Sequence, residues 1–199
     1  ATYSGAQIDQ LLKDDFQLPE GLASHSALRT GTPAGIPVRS ALLLDPACGT
    51  GVFLLAAIDH LQRNVADWSS FVGNLLPRLV GIEILPAAAL LAKLNITLKF
   101  AETGYVFQSS DRLHIYTADA LSPDVHSALR TPRSAFPILL GNPPFSTLTT
   151  NTNDWIARLV RGDDHVRGYV RANGQVLGER KTWLHDDYVK FIRLAHDLG

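Results

Sequence analysis

The stretch ALLLDPACGTGVFLLAAIDHL, residues 41–61, constrains the fold of this chain more than any other part of its sequence. An all-apolar run at 42–44 precedes Asp45, which is the pattern of a strand buried on both faces of a parallel sheet. Gly49 and Gly51 follow, and an apolar helical pattern then runs over 52–64. A strand, a glycine turn and a helix in this order predict an α/β protein.

Three more apolar runs repeat this alternation further along the chain. The segment LVGIEIL (79–85) predicts a second buried strand, LHIYTADAL (113–121) predicts a third strand and its exit, and the run at 137–140 predicts a fourth strand. Pro86 favours the start of a helix that ends near Gly104, whereas residues 65–78 are interpreted as a connection. The sequence therefore predicts a mostly parallel, doubly wound sheet with right-handed crossovers.

The remaining segments surround this core on both sides. The spacing predicts a helix over 7–17, a loop over 22–40, and a long loop over 147–180 with a short helix near 153–161. A last helix is predicted over 183–198. Its apolar face is predicted to carry Leu184, Tyr188, Ile192 and Ala195. We divide the chain into an N-terminal helix and loop (1–40), a core (41–146) and a segment that ends in this helix (147–199).

Composition excludes several classes of protein. The chain has 199 residues, 46% of them hydrophobic, and its net charge of −1 gives no global attraction to a polyanion. The single cysteine, Cys48, excludes an internal disulfide framework and is expected to pack in the turn. No apolar run is long enough to span a bilayer, and the histidines lack metal-ligand spacing. We expect a cytoplasmic enzyme or domain that needs no metal.

The glycine turn is a candidate ligand site. Glycines let the backbone approach a ligand closely, and the N–H groups that open the next helix favour an anionic group. Asp45 could accept hydrogen bonds from a cationic group. This combination suits a zwitterion such as an amino acid better than a diphosphate, because no lysine and no complete GxGxxG motif is present. For the turn alone, a purely structural tight turn is an equally good interpretation.

Two further acids follow the next two predicted strands. Glu83 occupies the position from which an acid usually binds ribose hydroxyls, and Asp119 could accept from an exocyclic amino group. Each acid alone could equally be a helix cap or a loop residue. Together with Asp45 they describe a ligand that has amino-acid, ribose and purine parts, and S-adenosylmethionine has those parts.

The fourth predicted strand ends in the segment GNPPFS. Asn142 offers one acceptor and two donors, and the two prolines, Pro143 and Pro144, fix the backbone without donating a hydrogen bond. Two nearby acceptors suit a planar amino group, and Phe145 offers a face for stacking a base. The alternative is a rigid loop in which the prolines only end the strand.

DPACGTG followed by GNPPF resembles the N6-adenine DNA methyltransferases, which are Rossmann-like enzymes that flip an adenine out of the duplex. The motif order, with a short segment between the third and fourth strands, is similar to that of the gamma group. The flanking stretches QIDQLLKDDFQLPEGLA, LLPRLVGIEIL and ERKTWLHDDYVKFIRLA resemble the methylase part of single-polypeptide type I (type ISP-like) restriction-modification enzymes.

This resemblance implies S-adenosyl-L-methionine as cofactor, and double-stranded DNA together with recognition, helicase or nuclease domains of the same polypeptide as partners. It implies that Asn142 and the Pro143 carbonyl accept from the target amine and that Phe145 stacks on the flipped base, with Phe in place of the commoner Tyr. Pro144 completes this expected catalytic segment. The implied cofactor-binding residues are Asp45, Pro46, Ala47, Gly49, Gly51, Phe53, Glu83, Ile84, Asp119 and Ala120.

The family's aromatic-Thr-Pro motif normally lies upstream of residue 1, and the sheet should continue past 183–198 with further strands. We therefore expect this chain to be a fragment of a larger enzyme, and the fourth strand of the fragment to be an unpaired edge of the sheet. Two other functions stay open. One is a methyltransferase that acts on an RNA base or a protein glutamine, and the other is a non-catalytic module that binds cofactor or partner domains.

Overall fold

The computed structural model describes residue 10 and the ranges 40–129, 135–145, 151, 153–163, 167–172, 175–176 and 182–198. The predicted helix over 7–17 and the predicted loop over 22–40 lie outside these residues, apart from Gln10 and Ser40.

Four parallel strands form the main sheet, as the sequence predicts. They are β1 (Ser40–Asp45), β2 (Leu79–Glu83), β3 (His114–Thr117) and β4 (Ala135–Leu139), in the order β3-β2-β1-β4. The strand that precedes the glycine turn is thus central, with β2 on one side and β4 on the other. Within the described residues β4 pairs only with β1.

Helices connect these strands. They are α1 (Val52–Asn64), α2 (Trp68–Leu75) with a 3-10 turn (Leu76–Arg78), α3 (Pro86–Glu102) and α4 (Pro123–Leu129). The sequence predicted α1 and α3 but neither α2 nor α4. In α2 the Asp67 side chain accepts from the Ser70 N–H at 3.2 Å, which caps the helix, and Phe71, Val72 and Leu75 are buried. The cap and this burial stabilise a helix too short to show a clear period.

The C-terminal part contains α5 (Asp154–Arg161), an antiparallel pair β5 (Arg171–Ala172) and β6 (Gln175–Val176), a 3-10 turn (Thr182–His185) and α6 (Asp187–Leu198). Both predicted helices are confirmed. Of the four residues predicted for the apolar face of the last one, Leu184 is buried, Tyr188 and Ala195 are half-buried, and Ile192 is exposed. Ile192 is 36% exposed, whereas the charged Lys190 is 3% exposed. The buried side of α6 thus combines the apolar Leu194 with the charged Lys190 and Arg193, whose polar partners are described below.

Apolar side chains fill the space on both faces of the sheet. Leu43 packs with residues of α1, α2 and α3. Its neighbour Leu44 packs on the opposite face with residues of α5 and α6. This two-sided burial confirms the doubly wound arrangement and leaves the carboxyl ends of the strands as the open edge. Among the described residues, none of the helices has the length and apolar character needed to cross a bilayer.

Gly81 in the middle of β2 tests this packing. A Cβ there would lie 2.7 Å from Ile115 Cδ1, 3.0 Å from Cys48 Sγ and 3.1 Å from Leu54 Cδ1. We expect Gly81→Ala to lower the free energy of unfolding by about 1–3 kcal/mol, because three buried side chains must shift together. Urea unfolding followed by circular dichroism measures the change.

Gly73→Ala is the matched control, because a Cβ at Gly73 in α2 meets nothing within 4 Å. An alanine there should raise the free energy of unfolding by up to about 1 kcal/mol, the usual helix preference for alanine over glycine. Equal stability of the two variants would contradict the packing described for β2.

Candidate active site at the carboxyl edge of the sheet

A pocket of about 380 Å³ opens at the carboxyl edge of the sheet. It brings together eight residues that the sequence singled out, and they come from the ends of all four strands. These are Pro46, Ala47, Glu83, Ile84, Asp119, Ala120, Asn142 and Pro144. Asn151, Asp187 and Phe191 complete the wall on the side of α6, and the sequence analysis assigned none of these three to the site.

The glycine turn contains two residues with positive φ, at +54° for Gly49 and +89° for Gly51. A Cβ at Gly49 would meet nothing within 4 Å, so that side of the turn is open to a ligand. A Cβ at Gly51 would lie 3.4 Å from Ala92 Cβ, because α1 packs closely on α3 there. The structure thus gives Gly51 a packing role and leaves open space beside Gly49, and neither glycine lines the pocket.

Glu83 connects the loops that follow β1 and β2. Its Oε2 accepts from the Gly49 N–H and its Oε1 from the Leu85 N–H, both at 2.9 Å. The side chain is 9% exposed and lines the pocket. Each carboxylate oxygen can accept a second hydrogen bond, so Glu83 can hold the glycine turn and still receive a hydroxyl from a ligand.

Asp45 is fully buried at the end of β1. Its Oδ1 accepts from the Ala47 N–H at 3.1 Å, but no donor among the described residues reaches Oδ2. Burial raises the pKa of this carboxyl to about 7; the Ala47 hydrogen bond lowers the pKa, and the nearby Glu83 carboxylate raises it. Asp45 does not line the pocket, so its unsatisfied Oδ2 lies behind the turn formed by Pro46 and Ala47, which do line it.

Gly141, one residue before the NPPF segment (Asn142–Phe145), is a site residue that the sequence analysis missed. A Cβ there would lie 2.6 Å from Asp45 Oδ1, so only glycine lets β4 pass this carboxyl. Its presence in the GNPPF motif could have indicated such a close approach.

Asp119 follows β3 and is tied on both oxygens. Oδ1 accepts from the Leu121 N–H at 2.9 Å and Oδ2 from the Asn151 amide at 3.0 Å. Asn151 lies in the polar segment after Ser146, where no sequence signal distinguishes it from its neighbours. The structure thus connects the wall formed by β3 to the segment that follows NPPF.

The NPPF segment borders the pocket through Asn142 and Pro144, whereas Pro143 and Phe145 are not among its lining residues. Phe145 is 68% exposed, and its ring stacks on Tyr188 with centroids 4.8 Å apart and planes at 23°. The sequence had placed Tyr188 on the apolar face of a helix. Instead it supports one face of Phe145 and leaves much of that ring accessible.

Two other predicted residues lie near the pocket edge or apart from it. Ile84 lines the pocket and is 63% exposed, whereas Phe53, in the first turn of α1, is 37% exposed and does not line it.

Cys48 is 4% exposed, and burial, with the Asp45 and Glu83 carboxylates, raises the pKa of its thiol to about 12. Its predicted packing role is confirmed, since such a thiol stays protonated.

The sheet is open and parallel, acids lie at the ends of its first three strands, and the NPPF segment follows the fourth. These features define a Rossmann-like methyltransferase domain. The chain belongs to the N-6 DNA Methylase family, whose model matches residues 35–165.

Solved structures with this fold include two Type ISP restriction-modification enzymes and a protein–DNA complex. The ATP-dependent Type ISP restriction-modification enzyme LlaBIII bound to DNA is 19% identical (TM-score 0.65), over 98% of this chain and 13% of that one. The DrdV–DNA complex is 24% identical (TM-score 0.68), and the match covers 96% of this chain and 18% of that one. A nuclease-deletion mutant of the Type ISP enzyme LlaGI with a DNA substrate mimic is 19% identical (TM-score 0.62), over 98% and 16%. At these identities the likeness shows the fold, and this chain spans less than a fifth of each of those chains.

The raised pKa of Asp45 predicts a pH dependence of stability. The folded protein holds a proton on Asp45 up to about pH 7, whereas the unfolded chain releases it near its ordinary value of 3.8. The Asp45 contribution to the free energy of unfolding should therefore fall as pH rises from about 4 to 7, by at most about 4 kcal/mol. The difference between wild type and Asp45→Asn in urea unfolding across this range measures the effect.

Asp45→Asn keeps the shape of the side chain and cannot titrate, so its stability should lack this component. Parallel curves for the two proteins between pH 4 and 7 would contradict the buried, proton-binding state of Asp45.

Proposed function

We propose that this chain is the catalytic part of a larger restriction-modification enzyme and transfers a methyl group from S-adenosyl-L-methionine to the N6 amino group of adenine in double-stranded DNA. The observation that carries the proposal is the position of Asn142, at the rim of the pocket that Glu83 and Asp119 line. Family membership and the DNA-bound relatives support the substrate class.

The chemistry of the pocket fits the proposed cofactor. Asp45 and Gly49 do not line the pocket, but Pro46 and Ala47 of the same turn do. The unsatisfied Oδ2 of Asp45 would suit an ammonium group if this turn shifts to admit one. Glu83 and Asp119 would receive the ribose hydroxyls and the adenine amino group, with Ile84 beside the ring. The volume of about 380 Å³ falls in the range of small-molecule sites. When bound, S-adenosyl-L-methionine supplies a methyl group activated by its sulfonium.

The residues of the NPPF segment would orient the acceptor amine. The Asn142 side-chain oxygen and the Pro143 carbonyl each accept one N–H, which fixes the direction of the nitrogen lone pair. Both acceptors also stabilise the positive charge that develops on nitrogen as the bond forms, so they act more on the transition state than on the ground state. Phe145 offers a stacking surface for the flipped base, supported from behind by Tyr188.

Asn142→Ala tests the catalytic assignment. In the natural polypeptide that contains this chain, we expect DNA methylation to fall at least a hundredfold while cofactor affinity stays within about threefold, because the acceptor acts on the transition state. Transfer of a labelled methyl group to adenine measures the first quantity and isothermal titration with S-adenosyl-L-methionine the second.

Asn74→Ala, on the exposed surface of α2, is the matched control and should behave as wild type. Methylation at a normal rate by Asn142→Ala would end the assignment. If the wild type modifies RNA or a protein glutamine and not DNA, the acceptor is a different amino group. Cofactor binding without transfer to any acceptor would indicate a non-catalytic module.

Tyr188 can be tested through the ring that it supports. Tyr188→Ala removes a stacked pair worth about 0.5–1.5 kcal/mol, so we expect methylation to fall about three- to tenfold with cofactor affinity unchanged. Tyr188→Phe keeps the ring and should retain the wild-type rate. An equal loss in both variants would show that the hydroxyl, and not the stacked ring, matters.

A further inference from the structure

Lys190 is a charged side chain in the interior of the protein, and the mechanism above does not use it. It is 3% exposed and does not line the pocket. Its Nζ donates to Asp187 Oδ1 at 2.9 Å and to the Asn151 carbonyl at 2.6 Å. Burying an ion pair is costly unless further hydrogen bonds satisfy it, and the Asn151 carbonyl supplies such a bond.

Asn151, which accepts a hydrogen bond from Lys190, also contacts a residue of the pocket wall. Its backbone is held by Lys190, while its amide nitrogen donates to Asp119 Oδ2 at 3.0 Å. Its side-chain oxygen accepts from the Asn153 N–H at 3.0 Å, and Asn153 in turn caps α5. One residue thus joins α6, the start of α5 and the acid that follows β3.

Asn151 lies six residues after Phe145 in the chain. Asn151 therefore ties the chain that follows the NPPF segment to Asp119, the acid proposed to meet the adenine end of the cofactor. Asp187, the ion-pair partner of Lys190, lines the same pocket.

We propose that Lys190 is a positioning residue that holds Asn151 against Asp119, so that Asp187 and Asp119, which both line the pocket, are joined by one chain of hydrogen bonds, Asp187–Lys190–Asn151–Asp119. The inference rests on the proposed function for its ligand. Its geometric part concerns the unliganded protein alone.

Lys190→Met and Asn151→Ala, made in the natural polypeptide that contains this chain, test the proposal singly and together. Each single variant should weaken binding of S-adenosyl-L-methionine about tenfold in isothermal titration. The double variant should also lose about tenfold, because Lys190 acts on Asp119 only through the Asn151 amide. A loss of about a hundredfold in the double variant would mean independent effects and would overturn the proposal.

Hydrogen exchange in the unliganded protein provides a readout that does not depend on the cofactor. The backbone N–H of Asn153 should exchange at least tenfold faster in Lys190→Met. The backbone N–H of Ser70 in α2, which donates to the capping residue Asp67, should keep its rate. An unchanged rate at Asn153 overturns the proposed restraint. If the wild type binds no S-adenosyl-L-methionine, the proposed function fails, and this exchange measurement still decides the role of Lys190.

Leu194→Ala separates positioning from general stability. Leu194 is a fully buried apolar residue of the same helix and does not line the pocket. It should lower the melting temperature while cofactor affinity stays within about threefold; a loss of affinity equal to that of Lys190→Met would overturn the proposal. Asn151→Ala, at a half-buried position, also decides the matter if Lys190→Met does not fold. Unchanged affinity in that variant contradicts the proposal by itself.

Discussion

The geometry of the candidate site depends on the Glu83 carboxylate, which holds the backbone after β1 through Gly49 and the backbone after β2 through Leu85. Parallel pairing brings the ends of these two strands together, but it does not fix the loops that leave them. A hydrogen bond from a backbone N–H to an ionised group is stronger than one between neutral groups. One such bond to Gly49 and one to Leu85 fix the glycine turn relative to the loop that follows β2.

The same arrangement sets the environment of Asp45. Glu83 is satisfied by two backbone donors, whereas Asp45 receives one and is more deeply buried. Two neighbouring carboxyl groups therefore differ in character, because burial and the Glu83 charge raise the pKa of Asp45 toward neutrality. A site that is costly to ionise when empty is one where a bound cation changes the energy most.

The sequence predicted the half of the site that parallel topology dictates. Asp45 and Glu83 end their strands, Asp119 and Asn142 come shortly after theirs, and the carboxyl ends of parallel strands meet at one edge. Asn151, Tyr188 and Lys190 could not be found in this way, because their roles depend on where α6 docks. The rule that apolar residues mark the buried face holds only in part for α6, since Leu194 is buried there but so are Lys190 and Arg193, with polar partners.

Arg193 shows why polar groups take that position in α6. Its Nε donates to the Leu159 carbonyl at 2.9 Å and its Nη2 to the Arg167 carbonyl at 2.9 Å. Carbonyls in the last turn of a helix have no partner within the helix, so a cation from a neighbouring element is a favourable one. Lys190 does the same for the Asn151 carbonyl, just before α5. Two cationic side chains of α6 are thus buried, and their hydrogen bonds to carbonyls near both ends of α5 offset the cost of that burial. Apolar packing could hold α5 against α6 at many rotations, whereas these hydrogen bonds select one and with it the distance from Asn151 to Asp119.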